Sequence, residues 1–175
     1  NEIERIKGVQ EIYYVNGLKG EADAMSIAPV ASFNQNPVIL TNGQSTNYKK
    51  SVKSYSIGGT TVLNSSFDNF SERISGLNRF ETNKNVINKF FPNKTHVNLS
   101  KSDVLIDALT ASALKEPVVL ISNDSDKSII AGSKSATVFG NINQIAVNRA
   151  KAYLYGDVVV FYSQHQDDET LFAGS

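Results

Sequence analysis

An internal repeat constrains the fold of this chain more than any other feature of its sequence. The repeated unit contains an Asp-Ala pair at the start of a helical pattern, followed by an apolar strand that begins at a proline. The two segments that follow this plan are ADAMSIAPVASFNQNPVILTNG (22–43) and IDALTASALKEPVVLISN (106–123). Asp23 aligns with Asp107, and Pro37 aligns with Pro117. Two copies of one α/β unit explain this similarity better than chance does.

Short apolar runs rich in β-branched residues alternate with helical patterns along the chain. We predict strands at 11–16, 37–41, 55–58, 95–99, 116–121, 136–140 and 157–163. We predict helices at about 22–34, 79–91, 104–115 and 143–154. Continuous apolar strands, each followed by a helix, are typical of parallel sheets that are covered on both faces. The predicted fold class is therefore α/β.

Composition excludes several classes of function. Seventeen basic residues balance seventeen acidic ones, so net charge gives no support for nucleic acid as a partner. The chain has no cysteine, which excludes disulfides and thiolate metal sites. No run approaches the roughly 18–20 apolar residues of a membrane span, and NEIERIKGVQ at the start is not a signal peptide.

The segment RISGLNRFETNKNVINKFF (73–91) precedes the second copy and has the pattern of a capped helix. Asn78 with Glu81 three residues later predicts a capping box at the start of this helix. A Glu at the corresponding distance before Asp23 would fall before residue 1. We therefore expect that the chain begins inside a repeat, and that any targeting segment lies upstream.

These residues carry a resemblance to the cell-wall-binding repeat type 2 family of Gram-positive surface proteins. That family shows an Arg-apolar-Ser/Ala-Gly-x-x-Arg-Tyr-Glu-Thr signature. The positions that match it are Arg73, Gly76, Arg79, Glu81 and Thr82. Phe80 replaces the usual Tyr, and Asn83 replaces a common Ala. The resemblance covers roughly residues 10–154.

The resemblance implies tandem Rossmann-like repeats, usually three, with short parallel sheets flanked by helices. Here it divides the chain into one repeat at 1–71 and another at 72–154. It also implies a secreted protein held non-covalently at the cell wall by an anionic polymer or by peptidoglycan. An Ile-Leu-Leu-like triplet on the Pro-led strand has a part in this binding. The corresponding triplets are Val38-Ile39-Leu40 and Val118-Val119-Leu120.

Each candidate binding residue also has a structural interpretation. The triplets can be buried strand core instead of ligand contacts. Asp23 and Asp107 can cap helix N–H groups, as Asp often does at a strand-to-helix connection. Arg73 and Arg79 can bind phosphate or carboxylate groups of a wall polymer, or they can pair with the nearby acids Glu72 and Glu81. His96 is alone in a strand and is not expected to be a ligand.

The last residues contain a separate cluster, HQDDET. The predicted strand before it delivers His165 to its carboxyl end, where open α/β sheets place their sites. His165 and Asp168 are close enough around a tight turn to bind one divalent ion, and zinc accepts such N and O ligands. Asp167 could then act as a general base. Alternatively, the acidic residues only stabilise the N-terminus of a following helix.

An apolar strand followed by His-x-Asp-Asp-Glu resembles the first motif of the PIG-L/LmbE-like N-acetylglucosaminyl deacetylases, in which Pro stands at the position of Gln166. The resemblance implies His165 and Asp168 as zinc ligands, Asp167 as the general base, and an N-acetylated amino sugar as substrate. In that family a later His completes the site. We therefore expect 155–175 to be the start of such a domain, inactive by itself and not able to hold zinc.

The sequence thus predicts a wall-anchoring module whose parent protein is a metal-dependent amino-sugar deacetylase. Two alternatives stay open. One is a pure adhesion or S-layer-associated module with no catalytic role. The other is a cytosolic α/β ligand-binding protein that arose by duplication.

Overall fold

A computed structural model describes residues 8–103, 105–155 and the backbone of 162–163. Within these ranges the chain forms eight strands and four α-helices. The strands are β1 (Glu11–Asn16), β2 (Val38–Thr41), β3 (Lys53–Ile57), β4 (Glu72–Ile74), β5 (His96–Lys101), β6 (Val118–Ile121), β7 (Ser135–Phe139) and β8 (Tyr162–Ser163). The helices are α1 (Glu21–Asn34), α2 (Arg79–Phe90), α3 (Ile106–Ser112) and α4 (Gln144–Lys151). None of the helices in these ranges has the length and apolar content that a membrane span requires.

The strands form two parallel sheets with the same topology. Their orders are β2-β1-β3-β4 and β6-β5-β7-β8. Each Pro-led strand joins its sheet in the same way: the Tyr13 N–H donates to the Pro37 carbonyl (3.2 Å), and the Asn98 N–H donates to the Pro117 carbonyl (2.9 Å). The repeat in the sequence is therefore a repeat in the structure, and the α/β prediction is confirmed.

Three elements differ from the sequence prediction. The predicted helix at 143–154 ends at Lys151. The predicted helix at 104–115 ends at Ser112, because the residues after it form tighter bonds such as Leu114 N–H to the Ala111 carbonyl (3.1 Å). Strand β4 was not predicted, since three residues with two charges carry no strand pattern. This strand pairs with β3, so the first sheet takes a strand from beyond the predicted boundary at 71.

Strand β1 forms the centre of the first sheet and is buried on both faces. Tyr13 and Val15 pack toward helices α1 and α2, whereas Ile12 and Tyr14 pack toward the loops and the short 3-10 helix Ser65–Asn69. This alternation follows from the two-residue period of a strand. Because both faces of the strand are buried, every residue from 12 to 16 is apolar, aromatic or hydrogen-bonded.

Helix α2 packs on both sheets. Val86 belongs to the core of the first sheet, and its neighbour Ile87 belongs to the core of the second. The helix begins as predicted: the Asn78 side-chain oxygen accepts from the Phe80 and Glu81 N–H groups (3.0 and 3.1 Å). The Glu81 carboxylate accepts from the N–H of Leu77 (2.8 Å), one residue before the position that a standard capping box uses.

Asn83 joins helix α2 to the edge of the second sheet. Its side-chain amide donates to the Val118 carbonyl (2.9 Å) and accepts from the Leu120 N–H (3.0 Å). It also donates to the Ser26 hydroxyl on helix α1 (3.1 Å). Asn83 is 1% exposed. One buried amide therefore satisfies the outer backbone groups of strand β6 and connects the two repeats.

We predict that Asn83→Ala will lower the free energy of unfolding by about 2–4 kcal/mol. The change leaves a buried carbonyl and a buried N–H without partners, at a cost of about 1–3 kcal/mol each. Urea denaturation measures the effect. Asn85→Ala is the matched control on the same helix, because Asn85 is exposed and, among the described residues, its side chain bonds only the Ser75 carbonyl. Equal stability of the two variants would contradict the connecting role of Asn83.

Candidate functional site

The two predicted binding triplets lie at equivalent positions but in different environments. Val118, Val119 and Leu120 on β6 are each 1% exposed, so this triplet is strand core. On β2, Leu40 is 68% exposed. The first triplet therefore presents an apolar side chain at the surface, and the second does not.

The difference arises from what covers each edge strand. Strand β6 lies beneath helices α1 and α2, and the residues of these helices that pack on its apolar cluster are Ala22, Met25 and Phe80. Asn83 pairs with its backbone. Among the described residues, no helix from another repeat covers strand β2 in this way.

Arg73 is held by three bonds within the first repeat. Its guanidinium pairs with the Asp68 carboxylate (2.7 Å) and donates to the carbonyls of Gly58 (2.7 Å) and Asn64 (3.0 Å). The expected pairing with Glu72 is wrong, because Glu72 pairs with Lys89 (2.7 Å). Asp68 lies in a short 3-10 helix that brings it to Arg73, and the sequence pattern did not reveal this helix.

Arg79 begins helix α2 and lies where the two repeats meet. Its guanidinium donates to the Ser102 carbonyl in the second repeat and lines the same cleft as Asp23 of the first. The expected pairing with Glu81 is also wrong, since the Glu81 carboxylate accepts from the Leu77 N–H. Arg79 and Asp23 thus line one cleft, as the sequence alone could not show.

Between these groups lies a cleft of about 490 Å³. It opens at the carboxyl ends of β1 and β3, where the chain turns to opposite sides of the sheet, which is the usual position of ligand sites in open α/β folds. The walls are the loop before α1, the turn after β3, the loop before α2 and the start of the second repeat. The lining residues include Leu18, Lys19, Glu21, Asp23, Leu77, Arg79 and Asp103.

The Asp23 carboxyl is the most buried charged group of this cleft. It is 8% exposed and packs directly against Gly58, whose φ of +117° favours glycine. Burial raises its pKa to about 6, and the nearby Arg79 guanidinium opposes this shift. None of the described residues donates a hydrogen bond to the Asp23 carboxyl.

Neither of the two aligned aspartates is an N-cap. Gly20 and Leu105 occupy the N-cap positions of α1 and α3 and give no side-chain bond. Asp107 is 5% exposed and packs against Gly140 (φ +74°), as Asp23 packs against Gly58. The Asp and Gly anchors of the sequence repeat are therefore partners in space.

Gly76 of the signature allows the loop before α2 to approach the first turn of that helix. A side chain there would lie 2.2 Å from the Cβ of Glu81, so only glycine fits. The next residue, Leu77, is 94% exposed. Leu18, which lines the same cleft, is 77% exposed. Sequence reasoning missed both leucines, although an apolar residue after a glycine in a polar loop was a usable signal.

The histidine and the metal prediction have separate outcomes. His96 is the first residue of the inner strand β5 and contacts Ser135 (2.7 Å), Thr137 (3.1 Å) and the Glu116 carboxylate (3.6 Å). Within the described part of the chain, no group of three His, Cys, Asp or Glu residues is placed to hold a metal. The predicted zinc ligands His165 and Asp168, and the predicted base Asp167, lie outside the described residues.

Comparison with known proteins gives consistent matches. The sequence model of the cell wall binding domain 2 (CWB2) family matches residues 2–68 and 73–160. The solved structure of Cwp6 from Clostridium difficile is similar with a TM-score of 0.75 and 26% identity, over 90% of this chain and 30% of that one. Cwp8 from Clostridium difficile is similar with a TM-score of 0.72 and 26% identity, over 83% and 30%.

The chain therefore spans less than a third of the length of these two structures. No curated protein matches it.

We predict that the stability of the protein falls as pH rises from about 4 to about 6. In this window the folded protein keeps a proton on Asp23 that the unfolded chain, with an ordinary pKa of 3.8, has released. The loss of unfolding free energy from this group should reach about 3 kcal/mol above pH 6.

Denaturation curves across this pH range test the effect. Asp23→Asn should remove most of the slope, whereas Asp124→Asn, at a side chain 94% exposed, should leave it unchanged. An unaltered slope in the Asp23 variant would show that another group is responsible.

Proposed function

The chain belongs to the cell wall binding domain 2 family, and from this premise we propose that it anchors a bacterial surface protein non-covalently to its wall. An anionic wall polymer or peptidoglycan is the proposed ligand. The similar structures from Clostridium difficile support a place on the surface of a Gram-positive bacterium. The family match over both repeats carries this proposal.

The apolar part of the proposed binding face is strand β2. Leu40 is 68% exposed, and Val38 and Ile39 beside it are half-buried, so this triplet can contact the C–H faces of a polysaccharide. The triplet on β6 lacks this access, since Val118, Val119 and Leu120 are core residues. Their proposed role is to hold the two repeats together.

Arg79 and Arg73 differ in how accessible their guanidinium groups are to a polymer. Arg79 lines the open cleft and is the proposed polar contact. Arg73 is 14% exposed in its side chain and already holds one carboxylate and two carbonyls. Polymer binding by Arg73 would require it to exchange at least one of these bonds, so its proposed contribution is weaker.

We expect the chain to bind purified cell walls, and we expect binding to fall when the anionic polymer is removed. Leu40→Ser should weaken retention by roughly five- to thirtyfold, equivalent to about 1–2 kcal/mol of lost apolar contact. Leu114→Ser is the matched control, because Leu114 is 53% exposed and lies in the second repeat. A sedimentation assay measures retention.

Each result decides a different part of this proposal. Equal retention of the two leucine variants would remove β2 from the binding face. Equal retention on walls with and without the anionic polymer would exclude that polymer and leave peptidoglycan as the ligand. If the unchanged chain is not retained on cell walls at all, the proposed anchoring is wrong.

A second proposal concerns the longer protein. The motif His165-Gln166-Asp167-Asp168-Glu169 supports a metal-dependent amino-sugar deacetylase domain that follows the repeats. His165 and Asp168 would hold the zinc ion, and Asp167 would accept a proton. The alternative, an adhesion or S-layer-associated module, shares the wall anchoring and lacks this activity.

We predict that a longer form of the protein, with residues beyond 175, binds zinc through His165. Titration with zinc should show at least tenfold weaker binding for His165→Ala, since loss of one ligand from a small site removes much of its affinity. Gln164→Ala is the matched control beside it. The same stoichiometry and affinity in all three proteins would exclude His165 as a ligand.

A further inference from the structure

The Asp23 carboxyl lies in the wall of the cleft and accepts no hydrogen bond from the described residues. It is more than nine-tenths buried, it lines the cleft, and no described residue donates to it. Buried polar groups in folded proteins almost always have hydrogen-bond partners. The Asp23 oxygens are not fully enclosed, and they can be reached from the cleft. A ligand that enters the cleft with O–H or N–H donors would replace water at this carboxyl.

The charges around Asp23 disfavour an anionic ligand. Three acidic side chains, Glu21, Asp23 and Asp103, line the cleft against two basic ones, Lys19 and Arg79. The N-terminus of α1 would otherwise attract an anion, but Glu21 and Asp23 already place carboxyl groups in its first turn. Phosphate would therefore meet at least as much negative as positive charge.

A neutral ligand with several hydroxyls fits this mixture of acidic and basic side chains. A hydroxyl group can donate to a carboxylate and accept from a guanidinium or an ammonium group. Asp23 and Arg79 both line this one cleft, so one ligand can reach both. Lys19 adds a further donor on the same wall.

The cleft also offers apolar surface of the right kind. Leu18 and Leu77 belong to its lining and are 77% and 94% exposed. A pyranose ring has C–H faces that pack on such side chains, while its hydroxyls reach polar groups at the ring edge. The volume of about 490 Å³ is within the usual range of about 300–1,000 Å³ for small-molecule sites.

We propose that this cleft binds a neutral sugar residue of the wall polymer. Asp23 accepts hydrogen bonds from the sugar hydroxyls, Arg79 donates to them, and Leu18 and Leu77 cover a C–H face. The inference rests on the proposed wall-binding function and adds the chemical class of the unit recognised here. The anionic groups of the polymer then lie outside this cleft.

Amide chemical shifts of the whole ¹⁵N-labelled chain test the site directly. The ligands are glucose, galactose, mannose, rhamnose and N-acetylglucosamine, each added alone, and inorganic phosphate as the anionic comparison. We expect at least one sugar to shift the amides of 17–23 and 76–79 at millimolar concentration, and we expect phosphate to leave them unchanged.

Variants separate recognition from folding. Leu77→Ser changes a side chain that is 94% exposed and should weaken sugar binding by roughly three- to tenfold with the fold intact. Asp23→Ala should abolish the shifts, and its amide spectrum away from the cleft reports whether it folds. Leu114→Ser is the control in the second repeat and should bind as the unchanged chain does.

Each adverse result has a distinct meaning. Shifts of the same amides by phosphate, with displacement of the sugar, would make the cleft an anion site and overturn the inference. No shift with any of the sugars would overturn it as well. If the unchanged chain still sediments with cell walls in that case, only the cleft assignment fails; loss of sedimentation itself would reject the proposed wall binding.

Discussion

Helix α2 is shared by two hydrophobic cores, and the arrangement of the rest of the protein depends on it. Val86 and Ile87 are adjacent in sequence, so they project about 100° apart around the helix and reach different sheets. Asn83, on the same helix, bonds the outer edge of β6 and the Ser26 hydroxyl of α1. Because apolar burial and buried hydrogen bonds act on one helix, the two repeats are fixed relative to each other.

This shared helix explains why the same Pro-led triplet is buried in one repeat and partly exposed in the other. The Pro-led triplet of the second repeat lies under α1 and α2 and becomes core, whereas the triplet of the first repeat keeps Leu40 at the surface. An apolar triplet at an edge strand is thus suited to packing and to ligand contact alike. Which role it takes depends on whether a neighbouring repeat covers it.

Features determined by local sequence were predictable, and features determined by distant contacts were not. The Asn78 cap, the Pro-led strands and the strand–helix alternation follow from local bonding rules and were predicted. The partner of Arg73 was not, because Asp68 reaches it through a short 3-10 helix with no sequence period. The cleft was also missed, since Asp23 and Arg79 line one cavity only after α2 docks between the sheets.

The repeated Asp–Gly contact is a structural feature that the proposed sugar site also uses. Asp23 packs on Gly58 and Asp107 packs on Gly140, so the contact belongs to the basic unit and fixes the start of each helix against the sheet. In the first repeat the loop before α2 adds Leu77 and Arg79 in front of this carboxyl. The buried Asp23 is costly to ionise, and a sugar that donates to it would offset part of that cost. The proposed sugar site therefore requires no new fold, because it combines the Asp–Gly contact of the basic unit with the loop before α2.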